Sequence, residues 1–228
     1  MTDLVGKCIL VVGATGALGS RLAARLVAAG ADVVLTGTDR ARLDALDVPG
    51  RRFVVDLATQ ADPAVGLAAD AVGGLDGVVV AAGVVAFGPA AQLDAATVAK
   101  LFAVNATGPI TLISSALPVL AESAVEGREP FVLTMSGVVA ESPTAGLAAY
   151  SASKSALAAF MAATAREARR GGIRLIDARP GHTETGLASR AIAGSAPAFP
   201  AGLDPDAVVE RMLAAIVGDE KDLPSTAF

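Results

Sequence analysis

Short, nearly continuous apolar runs alternate with Ala- and Leu-rich segments along almost the whole chain. Cys8–Val12, Asp32–Thr36, Arg52–Val55, Gly77–Ala81, Phe131–Met135 and Ile173–Ala178 read as strands. Their lack of polar alternation marks strands covered on both faces, as in a parallel sheet. The segments between them follow a helical period. In the first, Leu18, Leu22 and Leu26 form a stripe, Arg21 and Arg25 lie off it, and Gly30 ends it. Ala95–Leu120 and Tyr150–Arg170 are longer helical patterns. Pro109 and Pro118 are expected to kink or end the former, and Gly171-Gly172 stops the latter. Asp204-Pro205 opens a last helix running to Val217, a capping residue followed by a first-turn proline. This alternation predicts an α/β fold, a doubly wound parallel sheet of six to seven strands with helices on both faces. With no linker or repeat to divide it, 1–228 reads as one domain.

Composition narrows the picture. Hydrophobic residues make up 53% and charged residues 18% of the 228, as in a packed globular chain. A net charge of −5 leaves no electrostatic footprint for nucleic acid. The one cationic cluster, Arg166, Arg169 and Arg170, sits where a helix ends, favourable against the helix dipole. Cys8, alone in an apolar run, excludes an internal disulfide and reads as a small buried hydrophobe. One Cys and one His cannot assemble a His/Cys metal cluster, so no metal is expected. The N-terminus lacks a signal-peptide layout. The longest apolar stretch, Gly77 to Ala91, is interrupted and too short to span a bilayer. The expectation is a soluble, cytoplasmic protein with neither nucleic-acid nor membrane partners.

Gly13-Ala14-Thr15-Gly16-Ala17-Leu18-Gly19 follows the first strand and opens the first helix. Glycines there allow a tight turn and bring backbone amides to a pyrophosphate at the positive end of the helix. The second strand closes at Gly37-Thr38-Asp39-Arg40. An acid at position 37 would select NAD through the ribose hydroxyl; Gly37 stands there and Asp39 comes two residues late. Arg40 is placed to accept a 2′-phosphate, which tips the expectation to NADP, with NAD the alternative. Asp56, closing the third strand before Leu57, either caps the next turn or meets an adenine amino group.

Tyr150 and Lys154 share one helix face four residues apart. A phenol titrates near ~10 on its own, and a nearby cation lowers that value and makes it a usable general acid or base. Taken alone, the pair reads first as a surface Tyr beside a solvated Lys. The glycine turn at the other end of the chain changes that reading.

Taken together, these motifs resemble the short-chain dehydrogenase/reductase family over essentially the full length, with its Rossmann-type fold. Gly13 to Gly19 resembles the cofactor turn and Asp56-Leu57 the adenine contact. Ala81-Ala82-Gly83 is similar to the family's Asn-Asn-Ala-Gly without its asparagines, which puts Ala82 and Gly83 beside the cofactor. Pro180-Gly181-His182-Thr183-Glu184-Thr185 resembles the turn that embraces the nicotinamide, with Pro180, Gly181, Thr183 and Thr185 as its contacts and His182 as a bystander. Asn105 aligns with the asparagine that holds a proton-relay water. The family's serine is displaced. Ser136 precedes Tyr150 by 14 residues, one more than the commonest spacing, and Gly137 occupies the nearer position. Strand alternation puts Val132, Thr134 and Ser136 on one face, so Ser136 is expected to keep the role, with Ser142 second.

The resemblance implies hydride transfer between NADP or NAD and a small, neutral ketone, aldehyde or secondary alcohol. Tyr150 would move the proton, Lys154 would lower its pKa and bind the ribose, Ser136 would polarise the oxygen, and Asn105 would hold the water. The Ala-rich segment 186–203, with Ile192, Phe199, Pro197 and Pro200, is expected to be an apolar lid. Ala-dense Tyr150–Arg170 and Ala95–Leu120 are the expected contacts of a homodimer or homotetramer. The alternative is a non-catalytic NAD(P)-binding regulator on the same fold.

Overall fold

A computed structural model describes residues 2–228. Six parallel strands are ordered β3-β2-β1-β4-β5-β6. They are β1 (Cys8–Val12), β2 (Asp32–Gly37), β3 (Arg51–Val54), β4 (Gly77–Val80), β5 (Phe131–Met135) and β6 (Arg174–Ala178). A single parallel bridge between Ala178 and Leu223 adds a rudiment beyond β6. The expected strands differ from these by a residue at some ends.

The helices are α1 (Ala17–Ala28), α2 (Arg40–Asp44), α3 (Leu57–Val72), α4 (Ala95–Phe102), α5 (Gly108–Val125), α6 (Ala148–Ala168) and α7 (Pro205–Val217). Strand alternation sends Ile9 and Val11 to one face, where Leu22 and Leu26 of α1 and Met212 and Ile216 of α7 cover them. Leu10 and Val12 point to the other face, under Leu112 of α5 and Leu157 and Met161 of α6. This two-sided burial is why the strands carry no polar alternation. Arg21 and Arg25, off the stripe, pair with Asp206 and Glu210 of α7. Those pairs are half exposed and contribute little.

The segment expected as one proline-broken helix behaves differently. Helix runs from Ala95 through Val125, past both prolines, with a π turn at Ala103–Thr107. Pro109 falls in the first turn of α5, where its missing N–H costs least, and the π turn directly before it takes up the distortion. By length and composition this helix is apolar enough to cross a membrane, yet half of that window is buried within the protein. It packs as a core helix against α3.

The strand order reverses between β1 and β4, so the crevice at the carboxyl ends of these two strands is where an α/β sheet binds ligands. The glycine turn, the Ala81–Val84 segment, the end of β5 and the start of α6 all meet there.

Candidate active site

The glycine turn is shaped by close approach. Gly13 has φ +80°, and a Cβ on it would lie 2.6 Å from the Ala82 nitrogen. A Cβ on Gly19 would lie 2.2 Å from the Gly13 carbonyl. Gly16 is the N-cap of α1, and no side chain among the described residues caps that end. Its leading amides, at Ala17 and Leu18, are therefore free for an anion, which fits a dinucleotide pyrophosphate.

At the end of β2, Gly37 packs against Thr15, where a Cβ would sit 3.1 Å from the threonine side chain. A side chain at position 37 would have to displace Thr15 by a few tenths of an ångström. Thr38 follows, and Asp39 caps α2 by accepting from the Arg42 amide at 3.1 Å. Arg40, expected to meet a phosphate, is exposed and paired with Asp44 at 3.0 Å. Arg42, which sequence reasoning passed over, reaches back to the glycine turn and donates to the Thr15 carbonyl at 2.7 Å. The only hint in the sequence was its place one turn into α2. Asp56 caps α3 through the Ala58 amide at 2.9 Å, and Leu57 is buried beside it.

Asn105 is fully buried inside the π turn. Its carboxamide accepts from the Val84 amide and donates to the Val84 carbonyl, both at 2.9 Å, and donates to Ser153 at 3.1 Å. It thus braces the chain just beyond Ala82-Gly83. Gly83 faces both Asn105 Oδ1 and Lys154 Nζ, each 3.4 Å from where its Cβ would be.

Lys154 lies on the buried side of α6, and Tyr150, one turn earlier, is partly buried. Lys154 is 6% exposed, its Nζ donates to the Met135 carbonyl at 2.7 Å, and it lies 6.0 Å from the centre of the Tyr150 ring. Burial dominates both groups. It pushes the phenol up to about 12, and it pulls the ammonium down to about 8 against an opposing attraction from Asp177. The expected lowering of the Tyr150 pKa by Lys154 is therefore not in force in this arrangement, because desolvation outweighs a cation at that distance.

Ser136 is engaged elsewhere in this arrangement. It shares a face with Thr134, as alternation predicts, but it is fully buried and its hydroxyl donates to Asp177 Oδ2. Thr134 donates to Oδ1 of the same carboxylate at 2.7 Å. The strand end thus turns the Ser136 hydroxyl towards Asp177 in this arrangement. Gly137 follows with φ +75° and no side chain. Ser142 is exposed in the loop beyond.

The segment after β6 closes the site. Thr183 Oγ1 donates to the Gly181 carbonyl at 3.0 Å, and Thr185 Oγ1 accepts from the Leu187 amide at 3.3 Å. Pro180 accepts from the Val138 amide at 2.9 Å, tying this turn to the end of β5. Segment 186–203 is latched by Ile192 N–H to Val85 O at 2.8 Å and Phe87 N–H to Ala193 O at 2.9 Å. Phe199 stacks on His182 at 4.5 Å and leans on Phe87 at 6.0 Å. Leu187, Ala188, Ala191 and Ala193 gather around Tyr150 with Val85 and Leu147. Among the described residues, no group of three or more His, Cys, Asp or Glu side chains is placed to hold a metal.

Comparison with known proteins gives a consistent result. Residues 7–195 match the family model described as short chain dehydrogenase. A cyclic-di-GMP-binding biofilm dispersal mediator protein of Escherichia coli (strain K12) is 31% identical over 188 residues, 81% of this chain and 76% of that one. The crystal structure of 3-ketoacyl-(acyl-carrier-protein) reductase from Brucella melitensis complexed with NADH superposes with a TM-score of 0.84, at 23% identity and 97% coverage of both chains. A short chain dehydrogenase from Burkholderia cenocepacia J2315 in complex with NADP gives 0.84 at 20% identity, covering all of this chain and 91% of that one. At such identities the two structures speak for the fold.

Proposed function

This chain belongs to the short-chain dehydrogenase family, and on that premise we propose an NAD(P)-dependent oxidoreductase acting on a small, apolar ketone, aldehyde or secondary alcohol. The observation that carries this reading is the placing of Tyr150 and Lys154, with Asn105, beneath an apolar lid at the crevice that the glycine turn opens. The dinucleotide supplies the hydride. Tyr150 gives its proton to the carbonyl oxygen in reduction and takes it from the alcohol in oxidation. Lys154 would hold the ribose of a bound dinucleotide in exchange for the Met135 carbonyl, and its charge would favour the phenolate. Asn105 holds the Val84 backbone and with it the Gly83 turn against Lys154. With Ser136 on Asp177 and Gly137 bare, Tyr150 is the side chain that orients the substrate oxygen.

The preferred cofactor in this proposal is NADP. A cation at Arg42 beside Thr15, and no acid at Gly37, favour a 2′-phosphate over a bare ribose hydroxyl. Of the structural neighbours, one holds NADH and the other NADP. Ala152, Ala159, Ala162 and Ala163 form a flat exposed face on α6, suited to a second subunit.

NADPH and NADH oxidation against a panel of ketones and aldehydes, beside Tyr150→Phe, tests the activity. The second reading, a dinucleotide-binding regulator, is favoured by the diverted Ser136 and by a relative whose name is that of a cyclic-di-GMP-binding mediator. Tight dinucleotide binding with no turnover of any carbonyl would select it.

A further inference from the structure

Asp177 is a buried carboxylate on β6, 5% exposed. Its two oxygens accept from Thr134, Ser136 and the Arg179 guanidinium, the last at 3.2 Å. A neutral amide would satisfy the two hydroxyls equally well, so the charge itself needs a reason. Arg179 does not neutralise it alone, because the same guanidinium also serves Glu141 and Asp222. One cation is shared among three carboxylates. The strand register places Thr134 opposite Asp177 and Met135 opposite Ala178. The carbonyl that anchors Lys154 therefore belongs to the residue between the two hydroxyls bound to Asp177. Asp177 lies on the sheet face that α6 covers, the face on which Lys154 is buried.

We propose that Asp177 is a positioning residue that supplies the counter-charge for Lys154, keeping the ammonium protonated in the interior and poised at the Met135 carbonyl. This rests on the dehydrogenase reading for its catalytic meaning, since a neutral Lys154 would neither assist Tyr150 nor bind a ribose as a cation. The titratable and charged groups around Lys154 are Tyr150 on its own helix, Asp177 and Arg179 on the β6 side, and Glu141 beyond Arg179. Gly83 and Asn105, from the neighbouring turns, do not titrate. The attraction from Asp177 that opposes desolvation of Lys154 agrees with this geometry.

The chain has four lysines, Lys7, Lys100, Lys154 and Lys221. Lysine labelled with 13C at the ε position therefore gives a sparse NMR spectrum, in which Lys154 is identified by its loss in Lys154→Arg. In the cofactor-free protein Asp177→Asn is expected to lower the Lys154 titration by about a unit. Thr134→Val with Ser136→Ala, which keeps the charge and removes the hydroxyls, is expected to leave it in place. In turnover, Asp177→Asn moves the alkaline limb of kcat/KM to lower pH and spares the acidic side, where Lys154 is protonated in any case. A structural role alone would depress the whole profile. If Asp177→Asn does not fold, Arg179→Gln reads the same field with opposite sign, and Lys154 should titrate higher. A Lys154 resonance unmoved by either charge change overturns the proposal. Absence of carbonyl turnover in the unaltered protein would sink the dehydrogenase reading and leave the NMR result standing.

Discussion

The ammonium of Lys154 stands 6.0 Å from the centre of the Tyr150 ring and is bonded to the Met135 carbonyl, not to the phenol. Lys154 is buried and Tyr150 partly so, and desolvation drives each towards its neutral form.

Tyr150 is the only tyrosine and there is no tryptophan, so its ionisation can be read directly from the near-ultraviolet tyrosinate band. The band is expected to appear with a midpoint pushed up to about 12 in the folded, cofactor-free protein. Unfolding in denaturant should return it to about 10, and adding oxidised dinucleotide should lower it. A folded protein titrating at the ordinary phenol value would show that the lid does not bury the ring in solution.

Lys154 supplies a stability test with a definite sign. Its value falls from 10.5 to about 8 on folding, so between these values the unfolded chain binds more protons. Stability held back at neutral pH by burying the ammonium is recovered as pH rises through that window. Tyr150 acts oppositely, and its contribution is lost as pH climbs from 10 towards about 12. Lys154→Met removes the buried cation together with its titration, so it is expected to lose activity and to abolish the rise of stability across that window. Denaturant melts across pH should show the rise in the unaltered protein and none in the variant; a variant that keeps the rise would contradict the assignment.

Tyr150→Phe removes the proton donor and keeps the ring. Carbonyl reduction should fall by roughly 10²–10⁴-fold, with dinucleotide affinity nearly unchanged in a fluorescence titration. Equal losses in rate and in binding would point to a packing defect in place of lost chemistry.

Ser136→Ala separates the expectation from the sequence and the observed geometry. A serine polarising the substrate would cost roughly 10²–10³ in kcat when removed. Bonded to Asp177 instead, it should cost about 1–3 kcal/mol of stability and little in kcat. Chemical denaturation and steady-state rates on one preparation decide between the two.

Cofactor choice is tested at two arginines. Arg42→Ala should weaken NADPH binding relative to NADH about tenfold, on the scale of one charge-assisted phosphate contact. Arg40→Ala, removing an exposed pair with Asp44, should change the ratio little. The reverse ranking would restore Arg40 to the role first expected of it.

These variants also mark how far the sequence could be read. The strands were legible because both faces are buried, and helix ends were legible where Gly30, Gly171 or Asp204-Pro205 punctuate the chain. Alternation put Ser136 on the same face as Thr134. What occupies that face, Asp177, lies 41 residues further on and meets it only through strand pairing. Arg42 was missed for a similar reason, since its partner Thr15 lies 27 residues earlier. The π turn around Asn105 has no local signature beyond Pro109, and so the helix was expected to break where it instead widens.

The latch of segment 186–203 on Val85 and Phe87 bears on the tempo of any reaction beneath it. If the segment acts as the proposed lid, two backbone bonds and an aromatic stack part before a reactant enters or a product departs. Each is worth only about 1 kcal/mol net in water, so opening is a frequent thermal excursion, well short of unfolding. Where that swing limits throughput, added glycerol or sucrose will slow steady-state cycling by friction, and a deuterated hydride donor will leave the pace untouched.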